Sequence, residues 1–184
     1  MKLEPTKGRL LLARPYLQDP NFWRAVVLLA SHGEEGTLGF VLNRQLDYKL
    51  NELLEDFPEF DAPVFLGGPV GTDSLHYFHT LDDLGTEEDE IIPGIYQGTD
   101  FEVLKEKVLN GTVTEDQVRF FVGYSGWSAN QLEGEIEQKS WYVANPPKGF
   151  GFHHPADKLW QKVLQAMGGK YRVISHYPVD PILN

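Results

Sequence analysis

Glycine, proline or an acidic loop interrupts every apolar run of this chain within a few residues, so the chain reads as alternating short strands and a few helices. The clearest pair is residues 24–30 and 37–42, separated by Ser31-His32-Gly33-Glu34-Glu35-Gly36. Two apolar runs around a glycine-bounded reversal predict a β-hairpin. Further strands are expected at 8–13, 64–66, 75–80, 118–123, 141–144 and 171–176. Residues 91–96 carry Pro93 and Gly94, which marks an irregular or edge strand.

Four helices fit between them. One covers 50–54 and ends before Pro58. A second starts at Thr99, which with Glu102 three residues on forms a capping box, and stops at Asn110-Gly111. Ser128 with Gln131 forms another capping box, opening a helix with Leu132 and Ile136 on one face. The fourth spans 156–167, with Leu159, Trp160, Val163 and Leu164 as an apolar stripe and Gly168-Gly169 as its end. Strands often follow one another directly. That argues for α+β with a mixed, largely antiparallel sheet, not a doubly wound parallel one.

At 184 residues, without a repeat or a linker, the chain is expected to be a single domain over 1–184. The longest apolar run, 25–30, is strand-sized, and the N-terminus lacks the apolar core of a signal peptide. No membrane association is expected, and a cytoplasmic location is. There is no cysteine, which excludes disulfides, thiolate metal sites and cysteine nucleophiles. The net charge is −11, concentrated at 52–61 and 82–90, while the sixteen lysines and arginines are scattered. Duplex DNA binding needs a clustered basic face, so direct DNA binding is not expected.

Gly123-Tyr124-Ser125-Gly126-Trp127 nearly matches the G-x-S-x-G nucleophile elbow, and Asp157 and His176 follow in hydrolase order. The fifth position is Trp127 where the elbow needs a small residue, so the segment is read as a tight turn ending a core strand. Gly67-Gly68-Pro69-Val70-Gly71 follows a strand and has backbone N–H groups to offer an anion, but no Gly-Lys-Ser/Thr follows; a structural turn is the reading. His76 and His79 fall on opposite faces of a strand, and His153-His154 are loop neighbours, so no metal site is assigned. Glu133, Glu135 and Glu137 crowd one short helix, either as a solvated face or as an acid/base or cation site. Trp127 is either a staple against Leu132 or part of a site.

Gly8 to Ala13, Phe22 through Asn43-Arg44, Gly67-Gly68-Pro69-Val70, and Gly123 to Trp127 with Gln131-Leu132-Glu133 and Trp141 together resemble the YqgE/AlgH family, in order and over nearly the whole chain. The resemblance implies an α+β domain whose sheet curls into a split pseudo-barrel with a few flanking helices. It also brings a transcriptional-regulator label carried by some members. It singles out Asn43, Arg44, Gly67, Gly68, Pro69, Ser125, Gly126, Trp127, Gln131 and Glu133 as a candidate binding surface, and it implies no cofactor. Gln45 and Asn130 depart from it, standing where a proline and a glycine are usual; in relatives the Ser125 position is often alanine.

Three functions follow. The first is an accessory or regulatory domain that binds a partner protein or a small ligand through the motif surface. The second is an enzyme using Arg44, Glu133 and Ser125. The third is a DNA-binding regulator, which the acidic charge disfavours. No residue is assigned as catalytic. The motif segments are expected to meet in space, with Arg44 bonded to Glu133 or to a loop carbonyl.

Overall fold

Three strands and a hairpin turn build the centre of the molecule. The structure, a computed structural model, describes residues 3–178. β1 (Leu10–Ala13) pairs antiparallel with β2 (Val26–Gly33), which turns through Glu34-Glu35 into β3 (Gly36–Val41). The expected hairpin is therefore present, with a bulge between Leu29 and Ser31. Gly36 sits at φ 140, and a Cβ there would run into Trp127 O on the neighbouring strand, so only glycine closes this turn.

α1 (Leu50–Leu53) and β4 (Val64–Leu66) lead to a long strand, β5 (Val70–His79). Next, β6 (Glu90–Ile92) and β7 (Ile95–Gly98) form a tight antiparallel pair around Pro93-Gly94. The single irregular strand expected at 91–96 is thus two strands, with the glycine at φ 78 making the reversal. α2 (Phe101–Leu109) is capped by Asp100, whose carboxylate accepts from the N–H groups of Glu102 and Val103. The cap is Asp100, not Thr99: a short carboxylate at that position reaches both orphan donors.

β8 (Val118–Ser128) is the spine of the sheet. Its first half pairs antiparallel with β5 and parallel with β4, and its second half pairs with β3. The strand order is β6-β7-β5-β8-β3-β2-β1-β9, with β4 alongside β8 and β9 at Trp141–Ala144. The sheet is open and largely antiparallel, and with its helices the fold is α+β.

α3 (Gln131–Glu137), α4 (Ala156–Met167) and α5 (Lys170–Ile174) complete the described elements. The expected last strand at 171–176 is helix α5. Gly168 and Gly169, at φ 72 and 50, break α4, and the next turn rewinds on the same side; β-favouring residues yield there to packing of Tyr171 against Tyr142.

The core divides by sheet face. Leu10, Leu12, Leu28 and Phe40 face α4, burying Leu159, Trp160, Val163 and Leu164 as the helix stripe requires. Leu11, Val27, Leu29 and Val41 face α3 and bury Leu132 and Ile136. Tyr77, Val118 and Phe120 pack with Leu50 of α1 and Leu104 of α2.

Candidate functional site

Asn43 and Arg44 follow β3 and act on the loop before β2. The Asn43 carboxamide accepts from Val26 N–H at 2.8 Å and donates to Arg24 O at 2.9 Å. This clamp holds Arg24 in the left-handed region, at φ 49, a conformation costing on the order of 1–3 kcal/mol for a residue with a side chain. The Arg24 guanidinium lies 4.7 Å from the centre of the Trp160 ring and donates to the carbonyls of Tyr177 and Pro178 at 2.6 and 2.7 Å. Arg44 donates to the carbonyls of Pro20 and Trp23 at 3.2 and 3.0 Å. Its expected charge-assisted bond therefore goes to loop carbonyls, not to Glu133.

These residues line a cleft of about 460 Å³ together with Trp23, Asp157, Lys158, Gln161 and His176. Its permanent charges are Arg24, Arg44 and Lys158 against one carboxylate, Asp157, which lies 3.5 Å from Lys158. Neither arginine is in an ion pair among the described residues. A carbonyl satisfies a guanidinium's geometry without neutralising it, so the cleft stays positive in an acidic protein. Burial pushes the Arg24 pKa down from its ordinary value.

Gly67, Gly68, Pro69 and Ser125 form a second group, where β4 crosses β8. Gly67 O accepts from Val41 N–H at 2.8 Å and from the Ser125 hydroxyl at 3.0 Å. A Cβ on Gly68 would collide with the Tyr124 carbonyl and the Ser125 hydroxyl. Pro69 is exposed. Ser125 is fully buried inside β8 and pairs with Gly39. The tight turn expected at Gly123–Trp127 is absent: the strand bends at Gly123, at φ 64, and continues to Ser128. An enclosed hydroxyl donating to a carbonyl has no base to activate it and no path to a substrate.

The third group surrounds α3. Trp127 and Trp141 both donate their indole N–H to Glu135 Oε2, at 3.0 and 2.7 Å, and the Gln131 amide donates to Glu135 Oε1 at 3.1 Å. Gln131 also accepts from Ser128 N–H, half of the expected capping box, while Asn130 is the N-cap. Glu133 points at His32, 3.5 Å away. Gly126 is exposed and pairs with Leu38. Glu135, one of three clustered carboxylates in the sequence, is the hub; its signal was the i, i+4 spacing from Gln131.

The three groups touch through one backbone bond and one ring stack. Leu66 N–H donates to Arg44 O at 2.8 Å beside Gly67, and Phe22, between the two carbonyls that hold Arg44, stacks on Trp127 at 5.9 Å. Side chains do not converge on one point: only Asn43 and Arg44 of the ten face the cleft. His76 packs against Phe40 and Tyr124 while His79 stacks on Tyr96, on opposite faces as expected. Among the described residues no group of three or more metal-ligating side chains assembles, and no helix is long and apolar enough to cross a membrane.

The model of the AlgH-like family matches residues 10–172. The chain belongs to the YqgE/AlgH family. A UPF0301 protein of Cytophaga hutchinsonii is 44% identical over 181 residues, covering 97% of this chain and 99% of that protein. One from Chlorobaculum tepidum is 41% identical over 177 residues, covering 96% and 95%. The solution structure of the AlgH protein from Pseudomonas aeruginosa aligns with a TM-score of 0.73 at 28% identity, covering 97% of this chain and 98% of that one. A crystal structure of protein DIP2367 from Corynebacterium diphtheriae, at 21% identity and TM-score 0.75, covers 96% and 95% and shares the fold. In this AlgH-like domain the two departures noted above are absorbed locally. Asn130 takes the left-handed conformation, φ 62, that suits a glycine, and Gln45 makes a lone bridge to Phe65.

Proposed function

We propose that this AlgH-like domain is a non-catalytic binding domain, an accessory or regulatory module of the cytoplasm, whose cleft at Asn43 and Arg44 takes a small organic anion with a planar ring. One observation carries the reading: the cleft holds two arginines bonded only to backbone carbonyls, beside exposed Trp23 and the Trp160 ring. Uncompensated guanidinium groups attract phosphate or carboxylate, and the exposed Trp23 indole offers a face for stacking, while the buried Trp160 ring already carries Arg24. The left-handed Arg24 supports the same site, because strained backbone persists where surrounding contacts enforce it.

An enzyme built on Arg44, Glu133 and Ser125 draws no support from their positions, since they have separate partners and Ser125 is enclosed. Direct DNA binding is not part of the proposal, because a cleft with three cations in a chain of net charge −11 offers no extended phosphate track.

Thermal-shift measurements with phenyl phosphate, phenol and inorganic phosphate test the reading. Phenyl phosphate is expected to raise the unfolding midpoint in a saturable way, and more than either fragment. Equal, non-saturating responses to all three would remove the basis for a ring-and-anion site.

A further inference from the structure

At the far end of the sheet from β6, β9 has an outer edge that no described strand pairs. The register determines which backbone groups face that edge. Arg14 N–H donates to Ser140 O at 3.0 Å, and Leu12 and Leu10 lie opposite Tyr142 and Ala144. Ala13 N–H turns the other way, to Ala25 O at 3.0 Å. In an antiparallel ladder these directions alternate, so the N–H and C=O of Trp141 and Val143 point outward from the sheet. Both residues line a groove of about 680 Å³, walled on its other side by Met167 of α4 and Tyr171 of α5.

The charges in this groove run against the composition of the chain. Its lining contains Arg14, Lys139 and Lys170 and no carboxylate, although the chain has 27 acidic residues against 16 basic ones. None of the three cations is in an ion pair among the described residues. The Arg14 guanidinium lies over the Tyr142 ring, 4.7 Å from its centre, and donates to Lys139 O, so the rim is partly ordered before anything binds. An unpaired strand edge next to apolar side chains and a cationic rim has the parts needed for strand addition: backbone donors and acceptors, side-chain pockets and complementary charge.

We infer that the outer edge of β9 docks an extended, acidic segment of a partner protein, which adds as a strand and sets its carboxylates against Arg14, Lys139 and Lys170. A second copy of this chain is the wrong occupant. Edge-to-edge pairing about a two-fold axis would set the basic rim against itself and join two chains of net charge −11. This inference uses a different surface from the cleft at Arg44 and stands or falls separately.

The probe is a fluorescein-labelled peptide of alternating glutamate and valine, read by fluorescence anisotropy against the full chain. Saturable binding is expected, weaker at about 0.3 M salt than at low salt because the contacts are charged. Lys139→Glu with Lys170→Glu should weaken it roughly tenfold. Both lysines are exposed, and an unchanged unfolding midpoint verifies that the variant folds. Methylating alternate backbone nitrogens of the peptide, which keeps its charge but removes strand hydrogen bonds, should abolish binding. Lys158→Glu, in the cleft, should leave it unchanged. Absence of saturable binding, indifference to backbone methylation, or indifference to the lysine reversals would each overturn the inference, as would a stable dimer of the free chain that Lys139→Glu disrupts.

Discussion

Trp127 and Trp141 reach the same carboxylate oxygen of Glu135, with their indole rings 5.9 Å apart and nearly perpendicular. The two tryptophans lie on different strands, one on the spine β8 and one on the edge strand β9. A single acidic side chain from α3 therefore ties the middle of the sheet to its margin. The bond from Trp141 also fixes the start of the edge that borders the basic groove.

Removing that carboxylate leaves the indole donors of two buried tryptophans without an acceptor. Glu135→Ala is expected to lower stability by about 2–4 kcal/mol, and Glu135→Gln, which keeps one acceptor oxygen, by roughly 1 kcal/mol. Urea denaturation followed by tryptophan fluorescence measures both. Equal, small effects would mean that the indoles find water instead.

Trp160 is buried and donates its indole N–H to Ala13 O at 2.8 Å, pinning α4 to β1. Trp160→Ala should cost about 3–5 kcal/mol by equilibrium unfolding. A loss below about 1 kcal/mol would show that α4 packs without it.

The β4–β8 crossing separates a replaceable side chain from an irreplaceable glycine. Ser125→Ala removes one of two bonds to Gly67 O and should cost about 1 kcal/mol, since Val41 N–H still serves that carbonyl. A serine-directed phosphonate should not label Ser125. Gly68→Ala drives a methyl group into the Tyr124 carbonyl and should cost more than about 3 kcal/mol. Reversed magnitudes for the two variants would refute this account of the crossing.

Burial lowers the pKa of His79, and also of His76 and His154, below the ordinary imidazole value. In that direction the unfolded chain takes up protons first as pH falls. Stability is thus full above the unfolded value of about 6.5 and declines as pH drops from there toward the lower folded values. His79→Gln should flatten part of that decline in unfolding midpoints recorded between pH 7 and pH 5. An unchanged pH profile would remove His79 from the explanation.

Local patterning carried much of the fold. The Gly33–Gly36 reversal, the strands at Val64–Leu66 and Trp141–Ala144, and the stripe of α4 were all legible, because periodicity and punctuation agree there. Legibility failed where tertiary context decides. Gly123 and Gly126 read as a turn, yet β8 runs through both because β3 supplies a partner for its second half. The residues at 171–176 have strand-like composition, but after Gly168-Gly169 they wind into α5 and set Tyr171 against the Tyr142 ring instead of pairing with the open edge of β9. Within the site, Asn43 and Arg44 were singled out by the family resemblance. Arg24 was not, since nothing local announces a left-handed arginine, and Glu135 was hidden among three similar carboxylates.

The central claim is that the cleft's carbonyl-held arginines leave positive charge for a ligand. Phenyl phosphate titrated into the protein with tryptophan fluorescence as the readout tests it most directly, because Trp23 and Trp160 line the cleft. The account predicts saturable quenching, weakened about tenfold by Arg44→Ala and less by Lys158→Ala, with little change in unfolding midpoint for either variant, since surface cations contribute little to folding. Quenching that is absent, or that survives Arg44→Ala unaltered, would contradict it.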